Sequence, residues 1–240
     1  VLCVFWVEPA YLARAYARFL QLHRLVLDDL SESRHAVIAQ SGIQEMNPDQ
    51  IQIYMGLEGL TFMKGWEGET EYLQVENAFH TLEKNNIIHC SFVWNEQNFL
   101  ATGTGASHAG ELKGLTDCGK FAVKKANQHK WLLDVSHLNE AGFWDMYEAS
   151  TLPIMASHSN AKSLCGHERN LSDEQIKAIA EKGGIIGLNA YGEFVREENP
   201  TIDEFIDHAV YIANLVGPEH LAFGFDFLDY LQNDGPGTAF

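Results

Sequence analysis

The chain has 240 residues, with 33 acidic and 16 basic side chains and a formal charge of −17. That balance excludes a nucleic-acid binder, which needs a basic footprint to neutralise phosphates, and docking on an anionic membrane surface. Hydrophobic residues make up 46% and charged residues 20%, which excludes a disordered chain and leaves ample apolar material for a core.

The sequence alternates short apolar runs with longer helical patterns. Val1–Val7 reads as a buried strand, followed by a helical pattern over 9–29. A strand over 51–57 precedes a helix over 71–85, and a strand over 87–94 follows. Gly103-Thr104-Gly105 lacks the Lys and the flanks of a phosphate-gripping loop, and reads as a long flexible loop after a strand. Helices over 117–129, 139–150, 172–182 and 202–216 then alternate with strands over 131–136, 153–157, 184–190 and 220–227.

Two of these helices carry capping-box starts, Ser172 with Gln175 and Thr201 with Glu204, and stops at Gly183 and Gly217-Pro218. The last helix places Ile202, Phe205, Ile206, Ala209, Val210, Ala213 and Val216 on one stripe, predicted to face a sheet.

The strands are continuously apolar rather than alternating, as in parallel sheets covered on both faces. Two architectures fit such a β/α alternation, an open doubly wound sheet and a (β/α)8 barrel. No GxGxxG follows the first strand and no GxxxxGK[ST] occurs, so a nucleotide-binding sheet lacks support. No repeat or linker divides the chain, so a single domain over 1–240 is expected.

Cys3, Cys90, Cys118 and Cys165 lie far apart and form no CxxC pair, which reads as free thiols in a reducing compartment. No run approaches the ~18 apolar residues of a membrane span. With no leader visible, a cytoplasmic location is expected. A strand-like run that begins at Val1, without Met, predicts that the natural start lies upstream.

The chemical signal lies at the strand ends. Glu58, His137, His158 and Asp226 each follow an apolar strand that has no need of a polar residue. In a parallel barrel all strand carboxyl ends meet at one rim, where active sites form. Two imidazoles and two carboxylates there make a donor set suited to Zn²⁺, Mn²⁺ or Fe²⁺. Each residue alone also fits a structural role, His as a hydrogen-bonded strand end and Asp226 as a cap. Asp134 fits either a partner behind the ligands or a buried structural acid.

Trp131-Leu-Leu-Asp-Val-Ser-His137, Pro153-Ile-Met-Ala-Ser-His-Ser-Asn-Ala161 and His167-Glu-Arg-Asn-Leu171 resemble the membrane (renal-type) dipeptidases, peptidase family M19, in its bacterial branch. Gly56-Leu-Glu-Gly59, Trp94-Asn95, Gly114-Leu-Thr116, Asn189-Ala-Tyr191 and Gly224-Phe-Asp226 fall in the matching order.

The resemblance implies a TIM-barrel-like metal-dependent hydrolase fold with two zinc ions in an intact member. It implies that Glu58 bridges the metals, that His137 and His158 bind the second, and that Arg169 pairs with the free carboxylate of a dipeptide. It further implies that Asp226 handles the proton of the attacking water and that Tyr191 and Asn189 line the substrate pocket. Trp94 stands where the renal enzymes carry a substrate-facing His. The implied partner is a dipeptide, and a homodimer is common in the family.

The chain departs from the family pattern in lacking a His-x-Asp pair before Glu58. The expectation is therefore a barrel without its first strand and its closing C-terminal segment, holding one metal or none, with weak activity or none. Two other readings compete: another barrel hydrolase acting on an amide, lactam or ester, and a degenerate, non-catalytic peptide- or metal-binding relative.

Overall fold

The computed structural model describes residues 1–7, 15–39, 49–60, 70–106 and 113–226. Residues 9–14 of the first predicted helix and Phe227 of the last predicted strand lie outside them. Eight strands alternate with helices in this part of the chain: β1 (Leu2–Trp6), α1 (Ala15–Ser31), β2 (Ala36–Ile38), β3 (Ile51–Glu58), α2 (Glu71–Lys84) and β4 (Ile87–Ser91) come first. After a short 3₁₀ turn at Thr104–Ala106 come α3 (Asp117–His129), β5 (Leu132–Asp134), α4 (Glu140–Ala149), β6 (Ile154–Met155) and α5 (Asp173–Glu181). The series ends with β7 (Ile186–Leu188), α6 (Gly192–Val195), α7 (Ile202–Val216) and β8 (Leu221–Phe223).

Every named strand pair is parallel. The main sheet runs β1-β3-β4-β5-β6, with β2 beside the start of β3, and β7 pairs with β8. A parallel bridge between Ala156 and Ile186 joins the two sheets. Apart from β2, the strands thus follow chain order without reversal. A doubly wound sheet must reverse its order at a switch point, so the arrangement is that of a barrel wall. The helices agree, because α2, α3, α4, α5 and α7 pack against one another in the same sequence. Among the described residues, no pairing joins β1 to β8.

The core is continuous from Phe19 through Met55, Leu57, Phe79, Phe92 and Phe143 to Ile212. Ring stacking adds to it: Phe79 and Trp131 lie 4.8 Å apart at an interplanar angle of 9°. The capping boxes at Ser172 and Thr201 both form. No helix among the described residues is long and apolar enough to cross a membrane.

Three expectations change. Strand β2 is absent from the sequence reading because three residues are too few for a periodicity. The Gly103–Gly105 segment is not a flexible loop: Thr102 and Thr104 are buried, the Gly103 N–H donates to Glu96 O at 2.9 Å, and the Thr104 N–H donates to His137 O at 3.0 Å. A Cβ at Gly103 would stand 2.4 Å from Trp94 O, so glycine serves close approach there.

Helix α7 is turned from its predicted face. It buries Phe205, His208 and Ile212, while Ile202, Ile206 and Val210 are exposed. His208 decides the rotation, because buried among apolar neighbours it finds two partners. Its Nδ1 accepts from the Ala161 N–H at 3.2 Å, and its Nε2 contacts Val195 O at 3.0 Å.

Glycine also sets the approach of β7 and β8 to the loop after β6. A Cβ at Gly187 would lie 2.0 Å from Ser157 O, and one at Gly224 would lie 1.8 Å from the same atom. Gly187→Ala should therefore destabilise the chain by about 3 kcal/mol through overpacking. Gly166→Ala, where a Cβ meets nothing within 4 Å, should change stability by less than about 0.5 kcal/mol. Urea unfolding of the two variants checks this, and equal midpoints would show that the approach is not tight.

Candidate active site

Parallel strands deliver the predicted residues to one rim. Glu58 is the last residue of β3, while His137, His158 and Asp226 each lie three residues beyond the ends of β5, β6 and β8. The structure brings three of them into contact. His137 Nε2 lies 2.8 Å from Glu58 Oε1 and 2.9 Å from His158 Nε2, and His158 Nε2 lies 3.3 Å from Glu58 Oε1. The donor atoms of Glu58, His137 and His158 all fall within 4.8 Å of one another, a spacing able to hold a metal ion.

The far side of each imidazole decides which nitrogen faces the cluster. His137 Nδ1 lies 3.0 Å from Asn95 Oδ1, an acceptor, so Nδ1 carries the proton and Nε2 offers its lone pair. Arg169 agrees, since its Nη2 donates to His137 Nε2 at 3.2 Å. His158 Nδ1 lies 2.7 Å from Ser157 Oγ, behind which stands Asp134. The His137 lone pair, His158 Nε2 and a carboxylate oxygen thus face a common spot. Three acceptors so close repel one another unless a proton or a cation lies between them, and a divalent ion fits this set well.

Burial controls the charges. It pushes the Glu58 carboxyl up, because a buried carboxylate loses its hydration. It pulls His137 well below the ordinary imidazole range, and the Arg169 guanidinium adds to that. Burial also lowers His158, against the pull of Glu58. Both imidazoles are therefore held neutral, the form that binds metals.

The remaining predicted residues surround this cluster. Arg169 is 5% exposed, and its Nη1 is buried without a partner. An unpaired guanidinium nitrogen beside the cluster leaves a place for an anionic group. Its Cζ sits 5.5 Å from the Phe194 ring centroid, which fixes the guanidinium plane. Asp226 adopts a left-handed backbone (φ 59°) and accepts from Asn189 Nδ2 at 3.3 Å. Its charge reaches Glu58, His137 and His158.

Asn189 is fully buried, its backbone held by the Asn160 side chain and its amide donating to Asp226. Tyr191 is partly exposed, with its ring 4.9 Å from that of Phe194. Trp94 lies between Trp6, at 4.8 Å, and His137, at 6.2 Å between ring centroids.

Sequence reasoning missed the roles of Asn95, Ser136, Ser157 and Phe194. Asp134 was singled out with two readings, and the structure joins them. It is a 1% exposed carboxylate on β5 that accepts hydrogen bonds from the elements carrying both histidines. Burial alone would raise it, but His89 and the Ser136 hydroxyl outweigh burial and hold it well below the usual carboxylate range. The signal available in the sequence was a serine directly before each of the two clustered histidines, Ser136-His137 and Ser157-His158.

Several known proteins resemble this chain. The family model described as membrane dipeptidase (peptidase family M19) matches residues 2–233. A Klebsiella pneumoniae protein described only as an uncharacterized protein in the pqqA 5′ region is 36% identical over 171 residues, covering 68% of this chain and 61% of that one.

A crystal structure of a metallo peptidase from Rhodobacter sphaeroides, liganded with a phosphinate mimic of the dipeptide L-Ala-D-Ala, superposes with a TM-score of 0.71 at 27% identity. It covers 93% of this chain and 63% of its own. The structure of dipeptidase AC, a metallo peptidase, shares the fold with a TM-score of 0.76 at 23% identity, covering 94% and 71%. The chain thus spans less than two thirds of the length of its Klebsiella and Rhodobacter relatives. With a family-model match over nearly its whole length, the chain belongs to the membrane dipeptidase family, peptidase family M19.

Proposed function

We propose that this chain carries the centre of a metal-dependent dipeptidase, and that Glu58, His137 and His158 hold one divalent cation, zinc by preference. The observation that carries this reading is the meeting of two imidazole lone pairs and a carboxylate within 4.8 Å, beside a buried guanidinium with one unpaired nitrogen. A divalent cation at such a site lowers the pKa of a bound water toward neutrality and offsets charge that develops on a peptide carbonyl.

The side chains supply the rest. Arg169 pairs with the free carboxylate of the dipeptide, a planar fork meeting a planar anion. Asp226, oriented by the Asn189 amide, takes a proton from the attacking water and returns it to the leaving amine. Tyr191, Phe194 and Trp94 form aromatic walls that limit the length of peptide admitted and exclude water. This arrangement favours peptides cut one bond from their C-terminal carboxylate over longer chains or amides.

Three outcomes follow from it. Glu58→Gln and His158→Asn should each weaken Zn²⁺ binding by at least about tenfold, as measured by competition with a chelating dye. Unchanged affinity in both variants would remove the site from these residues. Next, a dipeptide should be bound and cleaved about 100-fold better than its C-terminally amidated form, because a charge-assisted pair contributes about 2–3 kcal/mol. Arg169→Met should abolish that preference, and equal handling of acid and amide by the unaltered chain would instead favour another barrel hydrolase.

The third outcome concerns pH. His137 and His158 sit below the ordinary value of 6.5, and His23 and His208 are lowered as well. As the pH falls through about 6.5 the unfolded chain takes up protons at these rings while the folded chain does not, so stability falls. Glu58, raised above 4.5, works in the opposite sense. The metal-free chain should melt lower at pH 5.5 than at pH 7.5, and His158→Asn should reduce the difference. A melting temperature that rises on acidification would contradict neutral buried imidazoles.

A further inference from the structure

Behind the cluster lies a second layer of polar groups whose protons can be placed one by one. Asp134 Oδ1 accepts from the Ser136 N–H at 3.0 Å, the Ser136 hydroxyl at 2.6 Å and the Ser157 N–H at 3.0 Å. Its Oδ2 accepts from His89 Nε2 at 3.1 Å and from the Ser157 hydroxyl. All five contacts are donors, and a carboxylate acceptor satisfies every one.

The two serine hydroxyls have one proton each, and both protons are committed to Asp134. Their oxygens are then left to accept. Ser136 Oγ accepts the His158 backbone N–H at 3.1 Å, and Ser157 Oγ lies 2.7 Å from His158 Nδ1. An oxygen whose proton is already donated elsewhere can only accept from that ring nitrogen. One carboxylate therefore grips His158 twice through two hydroxyls, at the backbone amide and at the ring.

We propose that Ser157, with its hydroxyl turned by Asp134, is a positioning residue that fixes His158 as the Nδ1–H tautomer and so leaves Nε2 free for a cation. In the more usual arrangement a carboxylate or carbonyl contacts the ligand imidazole directly; here a hydroxyl relays the carboxylate. The relay suits the site, because Asp134 stays one hydroxyl away from His158 and the ligand ring gains a fixed orientation without an anion against it. Ser157 itself is held by backbone approach, its carbonyl facing Gly187 and Gly224 too closely for any side chain there. The backbone that carries the hydroxyl is thus held in place.

This inference rests on the cation reading given above, and the experiment separates the two. The tautomer of His158 is read in the metal-free full chain from ¹⁵N imidazole spectra, with the signal assigned by its loss in His158→Gln. The expected result is a proton on Nδ1 and a bare Nε2 in the unaltered protein. Ser157→Ala should give a mixture of tautomers and weaken Zn²⁺ binding by about 10- to 100-fold. Ser157→Thr, which keeps the hydroxyl, should restore both.

A purely structural role would lower the melting temperature of Ser157→Ala without moving the tautomer or the affinity, and that result overturns the proposal. So does an Nε2–H tautomer in the unaltered chain. If the tautomer is as stated but the unaltered chain binds no Zn²⁺, the cation reading fails, and with it the purpose assigned to Ser157. A failed relay differs from this by its spectrum.

Discussion

Asp134 is the anchor of the rim. Its carboxylate sits at 1% exposure, where an unpaired charge would cost several kcal/mol of lost hydration. Five donors converge on it, from β4, from the turn after β5 and from the loop after β6. Hydrogen bonds to a charged group are worth about 1.5–3 kcal/mol each, so five together outweigh the burial penalty. The same five bonds tie three adjacent strands together at their carboxyl ends. His137 and His158 both leave the backbone within three residues of this knot, and their spacing follows from it.

The cluster in front of Asp134 has the opposite character. There the acceptors outnumber the donors, and the side chains are pressed together by the strands rather than by mutual attraction. Glu58, His137 and His158 are held in place by β3, by Asn95 and Thr104, and by the serine relay, none of which depends on what lies between the three. A site preorganised in this way stores unfavourable electrostatics that a cation relieves. Arg169 follows the same logic one step outward: a buried guanidinium with an unpaired nitrogen is relieved by an anion. Apposed cation and anion sites suit a substrate that presents a carbonyl and a carboxylate a fixed distance apart.

Much of this was legible in the residues. The alternation of apolar runs and helices placed seven of the eight strands, and the two capping boxes placed the starts of α5 and α7. Glu58, His137, His158 and Asp226 stood out because a strand buried on both faces has no use for a polar end. The wall of parallel strands then carries such residues to one rim, so the meeting of Glu58, His137 and His158 was foreseeable from topology alone.

Other features could be settled only by contacts between distant segments. The rotation of α7 was hidden because His208 counts as polar in any periodicity, yet it is satisfied by Val195 and Ala161 from elsewhere in the chain. Gly103 and Thr104 resemble a flexible loop until Trp94 and His137 are placed against them. Asn189 meets Asp226 across the fold while Asn160 grips its backbone. The protons on His137 and His158 are invisible in a string of letters, since a tautomer is chosen by the neighbour of the opposite nitrogen. The sequence by itself therefore determined the β/α alternation, the strand ends that bear donors and the family. Tertiary structure alone decided which face each helix buries, which nitrogen each imidazole presents and what holds it there, because those choices depend on hydrogen-bond partners that are far apart in the chain and adjacent only in the fold.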